Sequence, residues 1–234
     1  MQSPQAGRDL NEEDDATDAP ADAAGDGVAT SATAPNDVAV PARKRPKPGE
    51  RRVQILQTLA AMLEEPGADR ITTAALAAKL SVSEAALYRH FASKAQMFEG
   101  LIEFIEQSIF TLINQITERD ADPALQARRI VFMLLQFGEK NPGMARVMVG
   151  DALVFENERL SARMNQFFDK IESQLRQSLR AAAESAGSQT PTVDANGRAS
   201  ALTALAVGRL QRFTRSGFKR SPTEQIEMAL GLLT

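Results

Sequence analysis

The sequence contains no cysteine and only one histidine, His90. These absences exclude zinc sites built from Cys and His, Cys–His nucleophiles and structural disulfides. The chain has neither a Walker-type phosphate loop nor a G-x-G-x-x-G run, and no apolar stretch approaches the ~20 residues of a membrane-spanning helix. The acidic, Ala- and Pro-rich N-terminus does not resemble a secretory signal. We therefore expect no metal site, no cofactor and no membrane segment.

The formal net charge of −3 conceals two oppositely charged parts of the chain. Residues 1–42 contain nine acidic residues and one arginine, a net charge of −8, so the remainder carries +5. Because residues 1–42 have few large apolar side chains, they cannot bury enough surface to offset the entropy of ordering. We predict a disordered acidic tail over 1–42 and a basic linker over 43–49.

The basic stretch ARKRPKPGERR, residues 42–52, has two readings. It is either a solvated linker stiffened by proline or an arm that lies along a nucleic-acid backbone. On the second reading, the cations that contact phosphate are Arg43, Lys44, Arg45, Lys47, Arg51 and Arg52.

Capping residues and apolar spacing predict a helical body from residue 50 onward. The apolar stripe Ile55–Leu63 marks a first helix, and Pro66-Gly67 ends it. Thr72 or Thr73 caps a second helix, and Ser83 caps a third after a three-residue break. This arrangement is typical of a helix-turn-helix, so we assign residues 50–95 to a DNA-binding domain of three helices. Ser93 caps a long fourth helix.

The third helix has the features of a recognition helix. Leu87 and Phe91 are four residues apart and are predicted to face the core. The outward residues are then Glu84, Ala85, Tyr88 and Arg89. Ala85 permits a close approach to DNA, Tyr88 offers a hydroxyl to phosphate, and Lys94 begins the fourth helix, where phosphate is favoured. For His90, packing at the helix end and direct DNA contact remain equally open. The predicted DNA-contacting residues are Thr72, Thr73, Ser83, Glu84, Ala85, Tyr88, Arg89, His90 and Lys94.

Residues 96–234 are predicted to form a second, helical domain. Helices are expected over 123–141, 143–151 and 156–186, and the stripe of the last is interpreted as core packing rather than a coiled coil. Residues 187–197 are predicted to be a loop. Segments 198–214 and 222–234 are apolar on more than one side, which favours burial against a second copy of the chain. A charge at Leu210 is accordingly expected to split a homodimer.

The segment ITTAALAAKLSVSEAALYRHFASKAQMFEGLI resembles the DNA-binding domain of TetR-family regulators. The likeness lies in the threonine-capped second helix, the Tyr-x-His-Phe of the third helix, and the Ser-Lys before the fourth. It implies an all-α homodimer with an N-terminal helix-turn-helix domain and a larger C-terminal helical domain, whose last two helices form the dimer interface.

The stretches LIEFIEQSI, FGEKNPGMARVMVGDALVFENERL and RMNQFFDKIESQLRQSLR further resemble the SlmA family of nucleoid occlusion factors, over residues 50–234. The resemblance implies a cytoplasmic protein on the nucleoid that binds palindromic chromosomal sites on double-stranded DNA. While bound there, it would antagonise FtsZ, the tubulin-like GTPase of the division ring. The residues implied to contact the C-terminal tail of FtsZ are Phe104, Met133, Gln136, Lys140 and Asn141.

Two of these residues have simpler explanations. Phe104 borders the apolar stripe of the fourth helix and is either exposed or part of the core. Lys140 is a cation at a helix C-terminus, which is stabilising in itself. The alternative function is a ligand-responsive repressor of the same fold, which predicts a cavity in the C-terminal domain. The sequence has no visible catalytic constellation, so we do not expect an enzyme.

Overall fold

The computed structural model describes residues 49–65 and 70–234, and every regular element in these two ranges is helical. The elements are α1 (Glu50–Glu64), α2 (Thr73–Lys79), α3 (Glu84–Tyr88), α4 (Lys94–Arg119), α5 (Pro123–Lys140), α6 (Pro142–Met148), a 3₁₀ turn (Asp151–Leu153), α7 (Glu158–Ser185), α8 (Pro191–Arg215) and α9 (Ile226–Leu233). The predicted all-α fold is confirmed.

Side-chain caps define where α2, α3 and α4 begin. The side-chain oxygens of Thr72, Ser83 and Ser93 each accept a hydrogen bond from a backbone N–H in the first turn of the helix that follows. Such caps satisfy N–H groups that have no partner within the helix. Thr72 is therefore the cap of α2, which the sequence had left open between Thr72 and Thr73.

One hydrophobic core runs through the described part of the chain, from Ile55 in α1 to Leu230 in α9. Helix α4 crosses the boundary proposed between residues 95 and 96, and its buried residues repeat at Leu101, Ile105 and Ile109. This spacing of four keeps one face of α4 against the core. The opposite face is free to carry functional side chains.

Helix α6 joins the helix-turn-helix to the C-terminal helices through an unusually close contact with α1. A Cβ added at Gly143 would lie 2.0 Å from the carbonyl oxygen of Ala60. Only glycine permits this approach, because atoms at that separation overlap. The position of α1 against α6 therefore depends on Gly143.

The predicted loop over 187–197 is wrong. Helix α8 begins at Pro191, so only a short connection separates it from α7. Proline suits the first helical position, and Asp194 in the first turn accepts hydrogen bonds from the hydroxyls of Ser188 and Thr190. These bonds hold the pKa of the Asp194 carboxyl below its usual value. The Gly, Asn and Pro content of this stretch had suggested a loop.

The assignment of Leu210 to a dimer interface is also wrong. Leu210 is fully buried within its own chain, and a Cβ added at Gly138 would lie 2.4 Å from its Cδ2 atom. A charge at Leu210 would therefore disrupt the core of the protomer rather than an interface.

Three features expected from the sequence lie outside the described residues. They are the acidic tail over 1–42, most of the basic linker, and the Pro66-Gly67 stop.

Candidate functional site

The helix-turn-helix presents the outer side of α3 to solvent. Leu87 and Phe91 are buried, as predicted, and hold α3 against the small core formed with α1 and α2. The ring of Tyr88 is 44% exposed. The residues that share this outer surface are Ser83, Glu84, Ala85, Tyr88 and Arg89.

A hydrogen-bonded chain through Thr73 of α2 fixes two of these side chains, Glu84 and Tyr88, relative to one another. The Thr73 hydroxyl donates to Oε2 of Glu84 at 2.5 Å, and the Tyr88 hydroxyl donates to Oγ1 of Thr73 at 3.4 Å. Thr73 therefore connects α2 to both ends of α3. Ordering these side chains in the free protein lowers the entropy lost when they meet a ligand. Thr72 and Ser83 use their oxygens as acceptors in capping, and each hydroxyl proton remains available to a phosphate.

Arg52 and His90 contribute to the packing of the helix-turn-helix. The Arg52 guanidinium donates to the backbone carbonyl of His90 and lies 4.1 Å from the centroid of the Phe91 ring. His90 is half-buried, in keeping with its packing interpretation. Arg51 donates to Oε1 of Gln54 at 2.8 Å. The other predicted arm residues, Arg43, Lys44, Arg45 and Lys47, lie outside the described residues.

Lys94 has a partner that sequence reasoning missed. Its ammonium group forms an ion pair with the carboxylate of Glu156, 62 residues further along the chain, and lies 5.7 Å from the centroid of the Phe98 ring. The side chains are 25% and 10% exposed, so the pair is partly shielded from water. A phosphate would therefore have to compete with Glu156 for the ammonium group of Lys94, or bind that group together with it.

A groove of about 510 Å³ lies between α4, α5 and α9. Its apolar residues include Leu112, Phe132 and Met133, and Gln136 also lines it. Two of the five residues implied to contact FtsZ are thus brought together in this groove. Phe104 lies on the exposed side of α4, and its ring is 47% exposed. The alternative that Phe104 belongs to the core is therefore wrong.

Lys140 and Asn141 lie at the C-terminal end of α5. Lys140 is exposed, whereas the Asn141 side chain donates to the carbonyl of Phe137 at 2.8 Å. Asn141 therefore caps the end of α5, and its amide is already engaged. Lys140 is left as the available cation at this end of the helix.

Three arginines at the groove, Arg119, Arg128 and Arg129, were missed by the sequence interpretation. Arg119 and Arg129 form ion pairs with Asp120. Burial alone would raise the pKa of Asp120, but the hydrogen bonds and charges of the two arginines outweigh it and hold this pKa below its usual value. Asp120 neutralises part of the positive charge here. The adjacent residues Arg128 and Arg129 on an amphipathic helix are the sequence feature that could have indicated this positive charge.

The described ranges contain no cluster of three or more Asp, Glu or His side chains placed to hold a metal ion. Within the same ranges, no helix is long and apolar enough to cross a membrane.

Comparison with known proteins gives two matching family models. Residues 55–101 match the model for bacterial regulatory proteins of the tetR family, and residues 122–234 match a SlmA-like model described as a tetracyclin repressor-like C-terminal domain. Among solved structures, the fatty acid degradation regulator FadR from Bacillus halodurans superimposes with a TM-score of 0.65 at 14% identity, over 79% of this chain and 95% of that one. This likeness shows the fold alone.

Two curated relatives are much closer in sequence. The nucleoid occlusion factor SlmA of Vibrio vulnificus strain YJ016 is 51% identical over 80% of this chain and 96% of its own length. The nucleoid occlusion factor SlmA of Salmonella typhi is also 51% identical, over 80% of this chain and 94% of its own length. The chain therefore belongs to the SlmA family of nucleoid occlusion factors, within the TetR regulators.

Proposed function

We propose that this protein is a DNA-bound inhibitor of cell division. It binds palindromic sites on the chromosome as a homodimer and, while bound, antagonises the polymerisation of FtsZ in the cytoplasm over the nucleoid. The observation that carries the proposal is the 51% identity to nucleoid occlusion factors over nearly their whole length. Residues 50–95 form the DNA-binding domain and 96–234 the dimerisation and effector domain.

The outer side of α3 reads DNA in this proposal. Ser83, Glu84 and Ala85 lie at the start of α3 and are exposed, so they determine which bases are preferred. Tyr88 and Lys94 contact phosphate and determine affinity rather than sequence choice. Arg89 adds positive charge to the same surface.

The dimer uses the outer faces of α8 and α9. On α9, Met228 is 79% exposed and Leu232 is 82% exposed, which is costly for apolar side chains that remain in water. On α8, Gly197, Ala201 and Ala204 share a solvent-facing side whose small side chains allow close approach of another helix. A second copy of the chain covers both surfaces in a two-fold interface.

The FtsZ tail binds on the α4–α5 side of the molecule. The exposed ring of Phe104 anchors an extended peptide, and Lys140 attracts its acidic residues. Met133 and Gln136 line the groove that receives the rest of the peptide, and Arg128 adds a second cation there. These elements lie outside the helix-turn-helix, so DNA and FtsZ are bound at the same time.

Fluorescence anisotropy with a labelled FtsZ C-terminal peptide tests this surface. Phe104→Ala combined with Lys140→Ala should weaken peptide binding ~30-fold or more and leave DNA affinity intact, because truncating an aromatic anchor costs ~2 kcal/mol or more. Phe155→Ala is the matched control, since that ring is 67% exposed and lies beyond the end of α6. Equal losses in the two variants would place the contact surface elsewhere.

The groove also supports a second candidate function, that of a ligand-responsive repressor. Its volume of about 510 Å³ and its mixed apolar and polar lining are those of a small-molecule site. A repressor would release DNA when a small molecule occupies the groove. A nucleoid occlusion factor would keep its DNA under the same condition. Measuring DNA binding with and without candidate ligands, and with and without FtsZ peptide, distinguishes the two functions.

A further inference from the structure

The corner between α8 and α9 concentrates positive charge. Residues 195–223 contain six Lys or Arg residues and no acidic residue. Arg209, Arg212 and Arg220 line one pocket of about 210 Å³ at this corner. Within the described ranges, none of these three arginines forms an ion pair with a carboxylate. Three guanidinium groups at one small pocket repel one another unless an anion lies between them.

The backbone is folded back on itself to bring Arg220 to this pocket. Gly217 and Phe218 adopt left-handed conformations, with φ of 62° and 64°. The reversal is held by the Phe218 N–H, which donates to the Phe213 carbonyl at 3.0 Å, and by ring contact between the same residues at 5.2 Å. A left-handed φ is costly for a bulky residue such as phenylalanine. Surrounding contacts therefore impose the conformation that places Arg220 beside Arg209 and Arg212.

Arg209 is fixed before any ligand arrives. It is half-buried, and its Nη1 atom donates to the backbone carbonyls of Pro222 and Glu224. Gln225, another pocket residue, has a left-handed φ of 51°. A guanidinium group held in place loses little side-chain entropy on binding an anion.

The charge of the lining matches a divalent anion. The three arginines contribute three positive charges, and Glu224, which also lines the pocket, contributes one negative charge. Ser221 lines the pocket too, but its hydroxyl donates to Oε1 of Glu139. A phosphate group carries about −1.5 to −2 charges at pH 7 and accepts paired hydrogen bonds from arginine.

We propose that this corner binds a phosphate group, a function separate from both the α3 surface and the α4–α5 groove. The phosphate belongs either to a free phosphorylated ligand or to the DNA backbone. The proposal rests on the pocket and its charge and is independent of the proposed role in division.

The full-length protein is titrated with sodium pyrophosphate, with sodium chloride at equal ionic strength as reference, and thermal unfolding and calorimetric binding are measured. Pyrophosphate should raise the unfolding midpoint of the wild type. Arg220→Gln should weaken binding ~10-fold or more, because it removes a charge-assisted hydrogen bond. Glu224→Gln should tighten binding. Arg215→Gln is the matched control. Arg215 is exposed at the C-terminal end of α8, near Arg220 in the chain, but it does not line the pocket.

A second titration identifies the source of the phosphate. If the DNA backbone supplies it, Arg220→Gln should reduce the salt slope of DNA binding by ~0.9 relative to Arg215→Gln, and pyrophosphate should bind weakly. If Arg220→Gln and Arg215→Gln behave alike in both titrations, the proposal is overturned. That result is also expected if a carboxylate of a second copy fills the pocket.

Discussion

Glu156→Gln should tighten DNA binding while lowering the stability of the protein. Glu156 holds the ammonium group of Lys94 in an ion pair at the start of α4, the position assigned to a phosphate contact. Removing the carboxylate charge frees Lys94 for the phosphate and also removes repulsion between Glu156 and DNA. The same change leaves a partly buried lysine without its partner.

The distance and the burial of the Lys94–Glu156 pair limit how large the changes in stability and in DNA affinity can be. Two unit charges 4 Å apart attract by about 4 kcal/mol at an effective dielectric constant of 20, but desolvation and side-chain ordering offset most of this. Fully exposed pairs contribute about 0–1 kcal/mol. The Lys94 and Glu156 side chains are 25% and 10% exposed. We therefore expect a loss of about 1–2 kcal/mol in the free energy of unfolding and a gain of about 3- to 10-fold in DNA affinity.

Urea unfolding and DNA titrations over a salt series measure the two effects. Glu158→Gln is the control, because Glu158 is exposed, lies two residues away and changes the net charge equally. Lys94→Ala should weaken specific and random DNA alike and lower the salt slope by ~0.9. In a Lys94→Ala background, Glu156→Gln should have no further effect on DNA beyond that of Glu158→Gln. If Glu156→Gln and Glu158→Gln change DNA affinity equally in the wild type, Lys94 does not contact phosphate.

The close contact of α6, the dimer surface and the acidic tail each give a further prediction. Gly143→Ala should cost about 1–3 kcal/mol in urea unfolding, because the added Cβ would lie 2.0 Å from the Ala60 carbonyl oxygen; unchanged stability would contradict that contact. Ala204→Glu should convert the dimer to a monomer in sedimentation experiments without unfolding it, because Ala204 is exposed in the protomer. An intact Ala204→Glu dimer would rule out this face of α8. Deleting residues 1–40 should tighten non-specific DNA binding at low salt, because it removes a net charge of −8 that competes with DNA phosphate. At physiological ionic strength the effect should be small, because charges are screened over ~8 Å. Equal affinities of the full-length and truncated proteins across a salt titration would show that the tail is inert.

Local signals in the sequence were sufficient to predict the helix-turn-helix. Ser83 and Ser93 were identified as caps, and each accepts the expected backbone hydrogen bond. Leu87 and Phe91 were assigned to the core and are buried. These features depend on neighbours within four residues along one helix, so spacing alone determines them.

Features that depend on distant parts of the chain could not be predicted in this way. The partner of Lys94 is 62 residues away, and no periodicity indicates it. Leu210 belongs to an apolar segment with several candidate faces, and only its packing on Gly138 shows which face is internal. The exposure of Phe104 was likewise open, because the residue borders the buried stripe of α4 and the position of α5 decides on which side it lies.

We propose that DNA binding enables this protein to disrupt FtsZ polymers. The direct measurement is sedimentation of GTP-assembled FtsZ mixed with the purified full-length protein, with and without its palindromic DNA site. We expect pelleted FtsZ to fall only when the protein and its specific DNA are both present, and a scrambled duplex of equal length to have little effect. Equal loss of polymer with and without DNA, or no loss under any condition, would contradict it.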